Sequence, residues 1–220
     1  MRKALPRTRA LQEYVSEDNN LYKVDVLIKI CKLGEEVLRE KAEPVAEVND
    51  EIRKLADDMF EAMIAADGVG LAGPQVGRKL RMFVVIADDD VRRVFINPQI
   101  IATSEELGDY DEGCLSIPGV YETIKRPVKV TVQALNEKGK PFTLDADGLL
   151  ARVIQHEYDH LDGIMFIDRG DPAFAEKTAE QFKKREERAA KKQAEKAAKE
   201  RSIAAKIAAK EAKKAAKENS

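Results

Sequence analysis

Only two cysteines occur in 220 residues, and they do not form a CxxC pair, so a disulfide-stapled secreted scaffold is excluded and a reducing cytoplasm is the default compartment. Long apolar runs are also missing. The longest is the six residues Met82 to Ala87, far short of the roughly 18 that a membrane-spanning helix requires. The N-terminus carries Arg2, Lys3, Arg7 and Arg9 but no apolar stretch behind them, which argues against a secretory signal. Residues 1–25 read as a disordered or loosely docked extension, with an organellar transit segment as the lesser alternative. No internal repeat is found.

What is present divides by charge. The tract 176–220 holds 15 Lys+Arg against 8 Glu, while the rest of the chain carries 23 basic and 32 acidic residues. An acidic body therefore bears a basic tail, a split that points to a polyanion as the tail's partner. Residues 26–174 read as one globular unit and 175–220 as a separate helical tail. The tail has 13 alanines in 176–220 and neither Gly nor Pro. Acid-before-base pairs at i,i+4, such as Glu180/Lys184, support a helix. Too few large apolar residues are present for a coiled-coil seam.

Within the body, Asn49 or Asp50 can cap a helix whose apolar positions Ile52, Leu55, Met59, Phe60 and Met63 recur at helical spacing until Asp67-Gly68. Strands are expected at 81–87, 92–97 and 128–134, with a turn at 136–139 leading into a strand around Phe142. A further strand is expected around Val26 to Leu33. A second helix spans Leu149 to Leu161, stopped by Gly163. Strands and helices segregate, so the class is α+β.

The only two histidines stand four apart in His156-Glu157-Tyr158-Asp159-His160, inside that second helix. Chance yields this HExxH arrangement on the order of one time in a thousand. Positions i and i+4 share a helical face, so both imidazoles can converge on one metal ion while Glu157 reaches a water on it. A third ligand is needed. Cys31, in an apolar segment, reads as a buried core thiol. Cys114, in Glu112-Gly113-Cys114-Leu115-Ser116, sits at a glycine-flanked turn and is the favoured ligand, with Asp162, Asp168, Asp171 and Glu176 as carboxylate alternatives. The segment Gly68-Val69-Gly70-Leu71-Ala72-Gly73-Pro74-Gln75 follows a helix rather than a strand, so it fits a backbone loop close to a ligand better than a dinucleotide fingerprint.

Taken together, GVGLAGPQ (68–75), EGCLS (112–116) and QHEYDHLDG (155–163) resemble, in order, the three motifs of the peptide deformylase family. VLREKAEPV (37–45) resembles that family's N-terminal segment, and the likeness covers about Val26 to Asp168. It implies antiparallel strands packed around a central HExxH helix, and a metal held by Cys114, His156 and His160. It further implies iron(II), with zinc, nickel or cobalt able to substitute. Glu157 would be the general acid/base, with the Gln75 amide and the Leu115 backbone N–H as oxyanion donors and Gly70 beside the substrate carbonyl. The implied reaction is attack of metal-bound hydroxide on the formyl carbon of N-formylmethionyl nascent peptides. Val69, Leu149 and Val153 are candidates for the methionine pocket, and core packing is their plainer role.

Two positions depart from the family pattern. Gly73 stands where alanine is usual, which should loosen its loop, and Tyr121 stands where many members have a peptide-holding arginine, so Tyr121 is left without a role. Arg126 matches a common family arginine and reads as structural. Some bacterial members have a basic C-terminal helix near the nascent-chain exit, so ribosome docking is the expectation for the tail. The rival readings are a small HExxH metallopeptidase with a carboxylate third ligand, and a non-enzymatic ribosome-binding protein with a metal-stabilised body.

Overall fold

The computed structural model describes residues 28–218, with side chains through residue 201. The expected extension 1–25 lies outside the described residues. Five strands form one antiparallel sheet in the order β1-β2-β3-β6-β7: β1 (Gly70–Ala72), β2 (Met82–Ile86), β3 (Arg92–Thr103), β6 (Lys129–Leu135) and β7 (Pro141–Asp147). β4 (Leu107–Cys114) and β5 (Ile117–Pro127) pair separately as a two-stranded hairpin. The helices are α1 (Asp50–Ala65), α2 (Gly148–Leu161) and α3 (Pro172–Glu218). The class is α+β, as expected.

The run Met82 to Ala87 is apolar throughout because β2 is covered on both faces. Phe83 and Val85 point toward α2 and pack with Phe95, Val132, Ile154 and Leu161. Met82 and Val84 point the other way, among Met59, Met63, Leu71 and Ile96, under α1. The Asn49 side chain caps α1 by accepting from the Ile52 N–H at 3.1 Å. A third cluster lies under the β4–β5 hairpin and joins Cys31, Leu38, Cys114, Ile117, Ile124, Phe166 and Phe182.

Several elements differ from expectation. β3 continues beyond Asn97 to Thr103 because Asn97 takes a left-handed φ of 51° and lets the strand slip register between Ile96 and Gln99. Its amide is held on both sides, accepting from Val45 N–H and donating to Val45 C=O at 2.8 Å each. Residues 28–33 form no strand, and Val26 and Leu27 lie outside the described residues. The segment instead ties down the site loops: Cys31 N–H donates to Gln75 C=O at 2.7 Å and Leu33 N–H to Ser116 C=O at 2.9 Å. The stretch around Cys114 is not a turn between loops but the end of β4, with Leu115 and Ser116 turning into β5. α3 begins at Pro172 rather than near 175, and Phe182, ten residues in, is buried in the core.

Candidate metal centre

α2 is buried along most of its length even where it is polar, including Arg152, Gln155, His156, Glu157, Asp159 and His160. Desolvating so many polar groups is costly unless each finds a partner, so their partners define the site. His156 and His160 lie one turn apart with ring centroids 5.0 Å apart. Cys114 arrives from β4 and brings its Sγ within 3.3 Å of His160 Nε2. One ligand atom from each of Cys114, His156 and His160 lies within 4.8 Å of the others, the one such group among the described residues. Bonds of about 2.0 to 2.3 Å in a tetrahedral site put ligand atoms about 3.3 to 3.8 Å apart, so a thiolate and two imidazoles at this spacing fit a divalent transition metal.

Glu112 is the residue that sequence reasoning quoted without a role. Its Oε2 lies 2.8 Å from His156 Nδ1, and it is also bonded by Arg126 Nε at 2.7 Å and Arg152 Nη1 at 3.0 Å. Burial pushes the Glu112 carboxyl up, but the bonds from His156 and Arg126 outweigh burial and hold it at about 2. A carboxylate on Nδ1 fixes the His156 tautomer and leaves Nε2 free for a metal. Asp159 completes the network by accepting from Arg126 at 2.6 Å and from Arg169 at 2.5 Å. Arg126 is thus a buried bridge between Glu112 and Asp159. A carboxylate within reach of a ligand histidine was the signal that could have pointed to Glu112.

Glu157 is 3% exposed, and its Oε2 has no hydrogen-bond partner among the described residues. Burial pushes its carboxyl up to about 7, against the pull of His156. Gly70 passes so close that a Cβ there would lie 2.3 Å from Glu157 Oε1, so only glycine leaves room for the carboxylate. Gln75 is oriented from behind: its Oε1 accepts from the Ala72 N–H at 2.8 Å, which turns Nε2 toward Cys114 Sγ at 3.4 Å and Ser116 Oγ at 3.2 Å. Gly73 does not loosen this turn. A Cβ at 73 would lie 2.6 Å from the Leu80 carbonyl oxygen, so the turn is closed tightly over the bare backbone.

These groups face a cleft of about 430 Å³. Val69, Gly70, Gln75, Cys114, Leu115, Leu149, Val153, His156 and Glu157 all line it. Val69 stands half-exposed at the rim, whereas Val153, on α2, both lines the cleft and packs into the core. Pro118 to Tyr121 and Tyr110 form a wall that the sequence did not indicate. The carboxylate alternatives lie elsewhere: Asp162 pairs with Arg81, Asp168 with Arg39, Asp171 sits at the start of α3, and Glu176 stands exposed on α3. Cys31 is a buried thiol whose pKa is raised by burial and by nearby Glu35.

Residues 27–176 match the family model described as Polypeptide deformylase. The peptide deformylase of Treponema pallidum (strain Nichols) is 59% identical over 139 residues, spanning 63% of this chain and 85% of that protein. That of Acinetobacter baumannii (strain SDF) is 45% identical over 160 residues, spanning 72% and 91%. Among solved structures, a peptide deformylase from Legionella pneumophila superposes with a TM-score of 0.67 at 40% identity, over 74% of this chain and 99% of that one. One from Synechococcus elongatus in complex with actinonin gives 0.67 at 42% identity, over 70% and 86%.

Proposed function

Since this chain belongs to the polypeptide deformylase family, we propose that its cleft is where the formyl group is hydrolysed from the N-terminal methionine of newly made polypeptides, with Cys114, His156 and His160 as metal ligands. Family membership makes the chain a metal-dependent hydrolase acting on formylated nascent peptides. The observation that carries the residue assignment is the convergence of one thiol and two imidazoles beside a buried, unpartnered carboxylate.

When bound, the divalent ion acidifies a water and polarises the formyl oxygen. Glu157, pushed to about 7, is poised to take a proton from the attacking water near neutral pH and to deliver it to the departing amine. Gln75 Nε2 and the Leu115 backbone N–H donate to the oxygen on which charge develops. Gln75 is already oriented by the Ala72 N–H, so it has only to pass one Nε2 hydrogen from Cys114 Sγ or Ser116 Oγ to that oxygen. Gly70 brings the backbone against the substrate carbonyl, and Val69, Leu149 and Val153 receive the methionine side chain.

The soft thiolate suits iron(II) or zinc, and iron(II) is the proposed native ion, with zinc, nickel or cobalt as substitutes. Metal analysis of anaerobically purified protein, paired with formate release from formyl-Met-Ala-Ser, tests both assignments. Cys114→Ala should lose metal and activity together. Metal retained in that variant would return the chain to the carboxylate-ligand peptidase reading.

The location proposed is the cytoplasm, where formylated chains emerge. Beyond Arg185 the described side chains of α3 are almost all exposed, and this basic stretch is proposed to dock on the ribosome. Replacing Lys191, Lys192, Lys196 and Lys199 by Gln should weaken salt-sensitive co-sedimentation with ribosomes. Equal co-sedimentation at low salt would sink the docking idea.

A further inference from the structure

The hairpin β4–β5 is only two strands wide, and such a ribbon holds its position poorly on its own. Glu112 on β4 and Arg126 near the far end of β5 are tied to each other and to Arg152 and Asp159 of α2. The near end of β5, Pro118 to Tyr121, forms one wall of the peptide cleft and lies outside those ion pairs, so its support comes from elsewhere. α3 supplies it from outside the cleft.

Three contacts make that support. At the N-terminus of α3, Glu122 Oε1 accepts from the Asp171 N–H at 3.0 Å, and the chain passes so near that a Cβ on Gly170 would lie 2.4 Å from the same carboxylate. Further along the helix, Phe182 is 4% exposed and packs in the cluster that contains Cys114 and Ile117. One turn on, Arg185 Nη1 donates to the Pro118 C=O at 3.2 Å while its guanidinium lies 5.1 Å from the Phe182 ring centre. Successive strand residues point to opposite faces. Tyr121 therefore lines the cleft while its neighbour Glu122 reaches α3, and the helix grips the back of the strand that the substrate would meet.

We propose that residues 172–185 of α3 are a clamp that positions the β5 wall, and that Glu122 and Arg185 thereby set recognition of the residues following the formyl-methionine. This rests on the cleft being the formyl-peptide site. The clamp is distinct from the exposed remainder of the helix and makes 172–185 part of the catalytic unit. The proposed metal ligands, Glu157 and the methionine pocket stand on α2, on β1 with Val69 just before it, and at the end of β4. Phe182 shares a cluster with Cys114, whereas Glu122 and Arg185 contact none of these groups, so the test is confined to those two. Loosening the clamp should leave the chemical step alone and weaken only the grip on longer substrates.

The test uses full-length, metal-loaded enzyme with two substrates, formyl-methionine amide and formyl-Met-Ala-Ser. Arg185 is exposed, so Arg185→Ala leaves the core intact. Arg185→Ala and Glu122→Ala should each raise KM for the tripeptide about tenfold, with kcat and the values for formyl-methionine amide unchanged. Glu122→Gln keeps the acceptor for the Asp171 N–H and should restore the tripeptide KM. The proposal is overturned if both substrates lose equally, which is general destabilisation, or if the tripeptide KM does not move in either Ala variant. Wild-type protein releasing no formate from either substrate would instead overturn the function assigned to the cleft.

Discussion

α2 and α3 are both regular helices, yet they hold together for opposite reasons. α2 spans 14 residues and buries ten of them, histidines, carboxylate and arginine included. Apart from Glu157, its buried charges Arg152 and Asp159 each meet a partner, because an isolated one would be strongly destabilising. α3 spans 47 residues, and past Arg185 it rests on alanine propensity and on exposed pairs such as Lys196 with Glu200 at 4.0 Å. Chemistry sits on the helix whose polar groups are desolvated, where electrostatic interactions are strong. The solvated helix offers charge but no site.

The difference can be broken most severely at Glu157. Glu157→Ala should lower kcat by roughly 10² to 10⁴-fold or more with metal still bound, measured by formate release and metal content. Next comes Glu112→Ala, which leaves Arg152 without its carboxylate and Arg126 with Asp159 alone, and frees His156 Nδ1. It should weaken metal affinity by about 10 to 100-fold and destabilise the fold by about 3 to 5 kcal/mol, checked by metal titration and urea unfolding.

A milder probe is acid. Glu112 is held at about 2 in the fold against 4.5 as its ordinary value, so it binds fewer protons folded than unfolded. Its contribution is therefore complete above about pH 4.5 and is lost as pH falls toward 2. Unfolding midpoints of wild type measured across that window should drop more steeply than those of Glu112→Gln, and parallel slopes would remove Glu112 as the cause. The smallest effect belongs to α3: exchanging Lys191 and Lys192 for Gln should change stability by less than about 0.5 kcal/mol by the same urea measurement.

How much of this could be read from the sequence follows the same division. α2 was legible because its ligands fall at helical spacing and its apolar residues recur with the same period, and β6 was legible because valines alternate with polar residues. The β4–β5 hairpin was not, since its inward positions include Glu112 and Arg126, which satisfy each other rather than presenting an apolar face. A pattern of hydrophobicity cannot show a core made of ion pairs. Phe182 was hidden for a related reason: one aromatic ring amid lysines and glutamates gives no periodicity, yet together with Phe174 and Arg185 it ties the helix to the body. Gly73 was misjudged because its effect depends on the carbonyl of Leu80, seven residues away in the chain and adjacent in space.

The bare backbone at position 70 limits how this enzyme can diversify. A Cβ there would lie 2.3 Å from Glu157, the proposed proton carrier, so on that assignment the cleft floor is expected not to drift without loss of turnover. Variation is left to the half-exposed side chains around the mouth, Val69, Tyr110 and Tyr121, which can change shape or charge without touching the reacting atoms. Selection for a new peptide preference would therefore leave its record on the lip of the cleft and none on its base.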